Sequence, residues 1–409
     1  MAAILNMSAF DAALKVQYPD LAVKLAAYKN NPLLALLPKR EGGGGKSIVY
    51  PIHYGAPQGR SATYTTAGTN AYASTVTDLS VVRVSNYARA DIDGQTIEAS
   101  RGDAMAFMSA AKLEVDGALY TLTRDLACDI YHSGSGLRGR FSTNAAGKLT
   151  LSNLNDVVNF EVGMELVATT TEFSSSVTGR GTITSINRDT GVISTNNTVT
   201  FPPATDRPYL HVRGDVGSAK AVASRLKLCG LEAWIPSSAP AASEAFWGID
   251  RSKDPTRLAG LRVTGTGQTV EEALIKGGWS LFREGAEPDI CVLNPAHMAD
   301  LDKVLAGRGR YQMLTSPDAP ISFEAVTLRT PGGNLNVLAD PNCPSGVAYM
   351  LRRDSWALDT IGAAPKILMH DGQRVLRNAN TDSVRVNCGY YGNLVCFNPG
   401  QNGRISLDT

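Results

Sequence analysis

The sequence predicts an α+β protein organised around one long helix, and three stretches carry that prediction. In residues 94–132, GQTIEASRGDAMAFMSAAKLEVDGALYTLTRDLACDIYH, the side chains Met105, Met108, Ala111, Val115, Leu119, Leu122, Leu126 and Ile130 recur at steps of three and four, which lines them along one stripe of a helix. At about 1.5 Å per residue, 103–132 makes a rod on the order of 45 Å long. Asp103 is placed to cap it and Gly134 to Gly136 to stop it. Residues 139–216 then turn to Gly, Ser, Thr, Val and Asn, with short alternating runs in LTLSNL, GMELVATT, GTITSINRDTGVIST and YLHVRG, the period of half-buried strands. This predicts a small all-β domain inserted into the chain, with Asp189-Thr190-Gly191 as a hairpin turn. From Thr269 onward helix and strand patterns intermix as an α/β block.

The 409 residues are enough for two or three cores. A net charge of +1 offers no global attraction for nucleic acid or an acidic substrate. Six scattered cysteines, Cys128, Cys229, Cys291, Cys343, Cys388 and Cys396, form no C-x-x-C pair, so reduced thiols and no zinc site are expected. The start MAAILNMSAF lacks the parts of a signal peptide, and no apolar run reaches the length of a membrane span.

In chain order, residues 8–29 pattern as an amphipathic helix capped by Ser8 and kinked at Pro19, ended by Asn31-Pro32. Leu33, Leu34, Leu36 and Leu37 follow as an apolar patch on an arm, which needs a surface such as a neighbouring subunit to lie on. Glu41 to Ser47, EGGGGKS, fails as a phosphate loop because position 40 is Arg40 and the run precedes a strand pattern; a flexible hinge is expected. Strands at 47–54 and 76–89 flank the polar QGRSATYTTAGTNAYAST, an extended two-stranded loop that is marginal alone and sensible against another copy. Residues 217–265 read as irregular. A helix over 269–284 opens on a capping box of Thr269 and Glu272, a buried strand at 290–293 leads into a helix at 296–305, and strands follow at 325–329, 335–338 and 348–351. The tail, SVRVNCGYY and LVCF about Gly392-Asn393, reads as a hairpin with one face on the long helix.

Catalytic motifs are missing. There is no G-x-S-x-G elbow, no H-E-x-x-H and no EF-hand loop, and GSGLRG at 134–139 follows a helix where a dinucleotide fingerprint must follow a strand. His53, His132, His211, His297 and His370 fall in unrelated segments; Cys291 reads as a packed thiol and His297, beside Asp300, as a surface helix residue. No catalytic residue, cofactor or metal is expected.

The order of parts, arm, glycine hinge, extended loop, long helix, β insertion, α/β block and closing ribbon, resembles the major capsid protein of tailed double-stranded DNA phages, the Hong Kong 97 fold. NNPLLALLPKREGGGGKSIVYPI, GLEAWIP, FWGIDRSKDPTRLAGLR, PDICVLNPAHMADLDKVL, ADPNCPSGVAYMLRRDSWAL and GNLVCFNPGQNGRI are similar to a siphophage-like subfamily, and the resemblance covers nearly the whole chain. It implies an N-terminal arm at 1–45, an extended loop at 46–90, a peripheral domain at 91–138, 217–260 and 366–409, an inserted β domain at 139–216 and an axial domain at 261–365. It also implies copies of itself in pentamers and hexamers as partner, in a virion capsid assembled in the host cytoplasm around non-specifically held double-stranded DNA. Leu33, Leu34, Leu36, Leu37, Arg60, Tyr64 and Tyr72 are then expected to touch neighbouring subunits. Room is left for a separate scaffolding protein, since the chain opens almost directly on its arm, and for a portal and a decoration protein; no membrane is implied. Relatives that crosslink use a loop lysine, whereas residues 55–80 hold none and Lys46 lies at the hinge, so no covalent crosslink is expected. Two other readings stay open: an encapsulin-like nanocompartment shell, told apart by protein in place of DNA inside, and a cytosolic α/β hydrolase or transferase, told apart by a monomer in sedimentation.

Overall fold

The computed structural model of the chain describes residues 31–41, 45, 47–94, 104–145, 147–203, 207–242, 244–306, 313–315, 324–369, 372–378 and 381–408. The arm helix at 8–29 with Ser8 and Pro19, the Asp103 cap, Lys46, His370 and the side chains of Met105, Met108 and Ala111 lie outside them.

The long helix runs Ala104–Asp129, and Val115, Leu119, Leu122 and Leu126 are buried along one stripe, with Ile130 just past its end. That stripe packs on a six-stranded sheet whose centre is the 14-residue strand Ser383–Cys396. Antiparallel to it run Val84–Asp93 and Trp356–Thr360, with short pieces Lys366–Ile367 and Leu376–Arg377. The expected hairpin at Gly392-Asn393 is not formed; both residues continue the strand. Gly392 pairs with Val84 on one side and Thr360 on the other, where a Cβ would stand 2.7 Å from the Asp359 carbonyl oxygen. The buried Asn393 side chain is engaged outside its own strand, donating to Val82 O at 2.8 Å and accepting from Cys229 N at 3.0 Å. A local turn signal was thus overridden by pairing on both strand edges.

A second correction concerns the arm. Leu33, Leu34 and Leu37 are not an exposed patch but are at most 3% exposed, inside the core of the long helix and its sheet; Leu36 is half-buried. The cause lies downstream: Lys39–Glu41 adds to the sheet as a parallel strand beside Trp356–Thr360, which pulls the short helix Pro32–Leu36 onto the body. Asp340 completes the attachment, accepting Leu33 N at 3.3 Å and the Tyr131 hydroxyl at 2.8 Å at the foot of the long helix. Truncating Leu34 to alanine is expected to cost about 2–5 kcal/mol in denaturant unfolding of the subunit, because it opens a cavity in that core; an exposed arm residue would cost almost nothing.

The insertion is a closed antiparallel barrel, in the order Tyr209–Val212, Leu137–Ala145, Lys148–Leu151, Val192–Val199, Gly179–Asn187 and Glu165–Thr169. Its core holds Phe141, Phe160, Leu166, Ile183, Ile193 and Leu210. Closure leaves no free sheet edge to recruit another strand. The turn expected about Asp189 is present: Gly191 takes φ 66°, and Asn187 Oδ1 accepts the N–H groups of Asp189 at 3.0 Å and Thr190 at 3.1 Å.

A seven-stranded mixed sheet forms the rest, in the order Leu261–Thr264, Gly403–Ser406, Val347–Leu351, Ile290–Leu293, Gly333–Ala339, Glu324–Thr330 and Met313–Thr315. The last strand of the chain, Gly403–Ser406, therefore leaves the ribbon and sits inside this sheet. Side chains alternate between two cores: Cys291, Leu293, Ala348 and Met350 face the helices Val270–Arg283 and Pro295–Ala306, while Ile290, Val292, Val347, Tyr349 and Leu351 join the core of the long helix. Burial on both faces explains why ICVL and VAYML are unbroken apolar runs. The predicted capping box is present, with Thr269 Oγ1 accepting Glu272 N at 3.3 Å and Glu272 Oε2 accepting Thr269 N at 3.1 Å. His297 departs from expectation. It is 6% exposed, and its Nε2 accepts Gly346 N at 2.8 Å, which makes it a satisfied structural acceptor rather than a surface residue.

Candidate assembly surface

Strands Ser47–Gly55 and Thr75–Val82 form an antiparallel hairpin from Ser47↔Val82 to Gly55↔Thr75. Near the body, period-two alternation turns Ile52, Leu79 and Val81 into the core and leaves Val49 and Val76 more than half exposed. The single strand expected at 76–89 breaks at Arg83, because Thr75–Val82 pairs within the hairpin while Val84–Asp93 pairs with the central strand of the six-stranded sheet. Arg83 marks that handover. Its guanidinium is buried 3.6 Å from Asp359 and donates to Gly45 O at 2.8 Å.

Polar contacts clamp the root from the other strand. The Tyr50 hydroxyl donates to Asp359 Oδ2 at 2.7 Å, and its ring meets Phe397 edge-on at 5.0 Å. Burial, with Asp359 beside it, pushes the Tyr50 phenol up to about 12, so it stays a donor at any physiological pH. Arg257 adds a hydrogen bond to Tyr54 O at 2.9 Å.

Beyond Gly55 the anchoring ends. From Ala56 to Ser74 every residue is exposed except half-buried Ala67, and a short helix, Tyr64–Thr69, stands where only an extended loop was expected. Tyr64 is 96% exposed and Tyr72 67% exposed, with Arg60 exposed in the same segment. Three of the expected contact residues are thus gathered on the distal hairpin, whereas Leu33, Leu34 and Leu37 are withdrawn into the body. Their burial removes the reason the sequence offered for sending them to a neighbour. A second aromatic pair, Trp279 and Phe282, is about half exposed on the helix Val270–Arg283. The signal was available: they stand three apart, off the stripe formed by Ala273, Leu274 and Leu281.

No reactive constellation accompanies this surface. All six cysteines are free and buried, and burial raises the thiols of Cys229, Cys291, Cys343, Cys388 and Cys396. Burial also lowers His211 to about 4, next to the Thr169 hydroxyl at 3.1 Å. Among the described residues no group of three or more His, Cys, Asp or Glu is placed to hold a metal ion, and no helix is long and apolar enough to cross a membrane. At the GSGLRG stretch a Cβ on Gly136 would meet Asp215 O at 2.2 Å, so packed backbone takes up the space beside that glycine.

Comparison with known proteins agrees with this geometry. Residues 210–371 match the family model described as SU10 major capsid protein. No curated protein matches the sequence. Among solved structures, the capsid asymmetric unit of cyanophage A-1(L) superposes with a TM-score of 0.53 at 11% identity, covering 92% of this chain and 92% of that one. An encapsulin complex from Synechococcus elongatus PCC 7942 aligns at TM-score 0.44 and 10% identity, over 92% and 88% of the two chains. The capsid of Myoviridae phage XM1 aligns at 0.44 and 8%, over 93% and 92%. The chain thus has the fold of a phage capsid subunit along nearly its whole length, of the Hong Kong 97 type, and its residues 210–371 carry the match to the SU10 major capsid protein family.

Proposed function

We propose that this protein is the repeating tile of a closed icosahedral shell around the double-stranded DNA genome of a tailed phage, grouped in pentamers and hexamers. The observation that carries the proposal is the hairpin: firmly rooted, yet exposed through 56–74, with two tyrosines whose rings bury area only against another molecule. In this reading the loop 46–90 crosses a neighbouring subunit, with Arg60, Tyr64 and Tyr72 in the contact and Leu36 at its margin. Residues 261–365 gather about the rotation axes, and the barrel in 139–216 stands on the outer surface. Closed symmetry repeats each modest contact through the whole shell, so weak pairwise burial suffices. A net charge of +1 suits an inner wall that must admit and release DNA. Assembly in the host cytoplasm, with separate scaffolding, portal and decoration proteins, completes the proposal; no catalytic step, cofactor or covalent crosslink is assigned.

Negative-stain microscopy of particles from an infected host, with nuclease treatment before DNA extraction, tests it. Closed shells holding nuclease-protected DNA are expected. Shells filled with protein would move the assignment to a nanocompartment, and a monomer at all concentrations would overturn it.

A further inference from the structure

Between the short strands Ala245–Phe246 and Ile249–Asp250 the chain reverses on two residues, Trp247 and Gly248, with φ of 51° and 90°. Left-handed backbone at both positions is the mirror-image turn that matches hairpin twist, and Asn, Asp or Gly normally fill it. A tryptophan there is an outlier, since its Cβ crowds the carbonyl that follows. Such strain persists where the surroundings over-determine it.

What surrounds Trp247 is the root of the hairpin. Its indole is 7% exposed, in one core with Ile52, Leu79 and Val81, and its carbonyl accepts Ser80 N at 3.4 Å. On its other side a line of rings leads into the body. Trp247 lies 5.9 Å from Phe246, Phe246 5.0 Å from Trp234, and Trp234 6.2 Å from Trp356 in the six-stranded sheet, each pair edge to face. The Arg251 guanidinium covers Phe246 at 3.9 Å and donates to Ala233 O at 2.9 Å and Trp234 O at 3.1 Å, which fixes the middle of the line.

We propose that the Trp247 turn is a clip that sets the direction in which the hairpin leaves the body, and so where its tip lands on a neighbouring copy. Trp247 is then a positioning residue for assembly. The inference rests on the shell reading for its consequence, though not for the clip itself. Leverage gives it weight: eight paired residues at ~3.3 Å reach about 26 Å, so a tilt of about 10° at the root displaces the tip by about 4–5 Å. A two-stranded ribbon has no stiffness of its own to correct that.

Trp247→Asn keeps a residue that tolerates left-handed backbone and removes the indole; Trp247→Phe keeps part of the ring. For W247N the expected result is unchanged circular dichroism, cleavage of the hairpin by added protease at least tenfold faster in unassembled subunits, and shells of mixed size or open edge, with W247F between it and the wild type. Wild-type cleavage together with uniform closed shells in W247N would overturn the proposal. Should W247N fail to fold, hydrogen exchange of the wild-type subunit decides: protection at the Ser80 amide equal to that of the six-stranded sheet supports the clip, and exchange as fast as in 56–74 refutes it. If the wild type makes no shells, the shell reading fails while the protease and exchange results still judge the clip.

Discussion

Replacing residues 56–74 with Asn-Gly is expected to leave a folded subunit that no longer closes into shells. The pairing Gly55↔Thr75 stays in place, and Asn-Gly supplies the tight turn that joins strands in that register. Because the deleted segment is exposed almost throughout, unfolding of the subunit should change by no more than about 0.5 kcal/mol. Assembly should respond quite differently. Arg60, Tyr64 and Tyr72 go together, and aromatic and arginine anchors of this kind carry about 2 kcal/mol or more apiece when buried at an interface. The milder pair Tyr64→Ala with Tyr72→Ala should raise the protein concentration needed for assembly at least tenfold, since about 1.4 kcal/mol per contact corresponds to that factor. Sedimentation velocity across a concentration series reads both variants. Shells forming at the wild-type threshold would exclude the distal hairpin from assembly.

Arg138→Met should destabilise the subunit by about 3–5 kcal/mol, the cost of leaving buried carboxylates without their cation. Arg138 is 2% exposed on the first barrel strand, and its guanidinium lies 3.2 Å from Asp125 and 3.3 Å from Asp129, one turn apart on the long helix. Lys227 supports the same cluster from the chain returning out of the barrel, 2.9 Å from Asp215, 3.8 Å from Asp125 and 3.0 Å from the Asn86 side chain. Burial pushes the Asp125 carboxyl up, but Arg138 and Lys227 outweigh it and hold it below the usual range. For Asp129, fully enclosed, burial wins over Arg138 and the carboxyl is raised. Both ends of the barrel are thereby tied to one helix. The pH dependence carries a definite sign. Without Arg138 both carboxyls bind protons more readily in the folded state than they do in the wild type, so the variant loses stability relative to the wild type as pH rises, and the gap should be narrower at pH 5 than at pH 8. Denaturant midpoints at the two pH values check this; an equal gap would mean that Arg138 acts through packing alone.

Legibility in the sequence followed how local the cause was. The stripe Val115, Leu119, Leu122 and Leu126, the Thr269–Glu272 capping box and the Asp189 turn were readable because residues within a few positions of each other decide them. Arg60, Tyr64 and Tyr72 were readable as exposed because little nearby could cover them. The arm leucines were misread for the converse reason: what buries them is Trp356–Thr360, more than three hundred positions away, through a three-residue parallel strand that carries almost no pattern of its own. Gly392-Asn393 likewise has the composition of a turn, and only pairing with Val84 and Thr360 turns it into the middle of a strand. His297 looked like a surface residue because its acceptor role depends on Gly346.

The amino-acid order by itself determined that there would be a long helix, a β-rich insertion, an α/β block and a polar loop too poor in aliphatics to fold upon itself, and the succession of those parts was enough to show the resemblance to the capsid fold. Each follows from periodicity and composition, which act within a few residues. Tertiary structure alone decided that the arm belongs to the body, that the final strand crosses into the seven-stranded sheet, and that Trp247, Phe246, Trp234 and Trp356 form a line of rings from the root of the hairpin into the six-stranded sheet. The physical reason is that burial and strand pairing are satisfied by whichever surface comes within reach, and which surface that is depends on the folding of the whole chain.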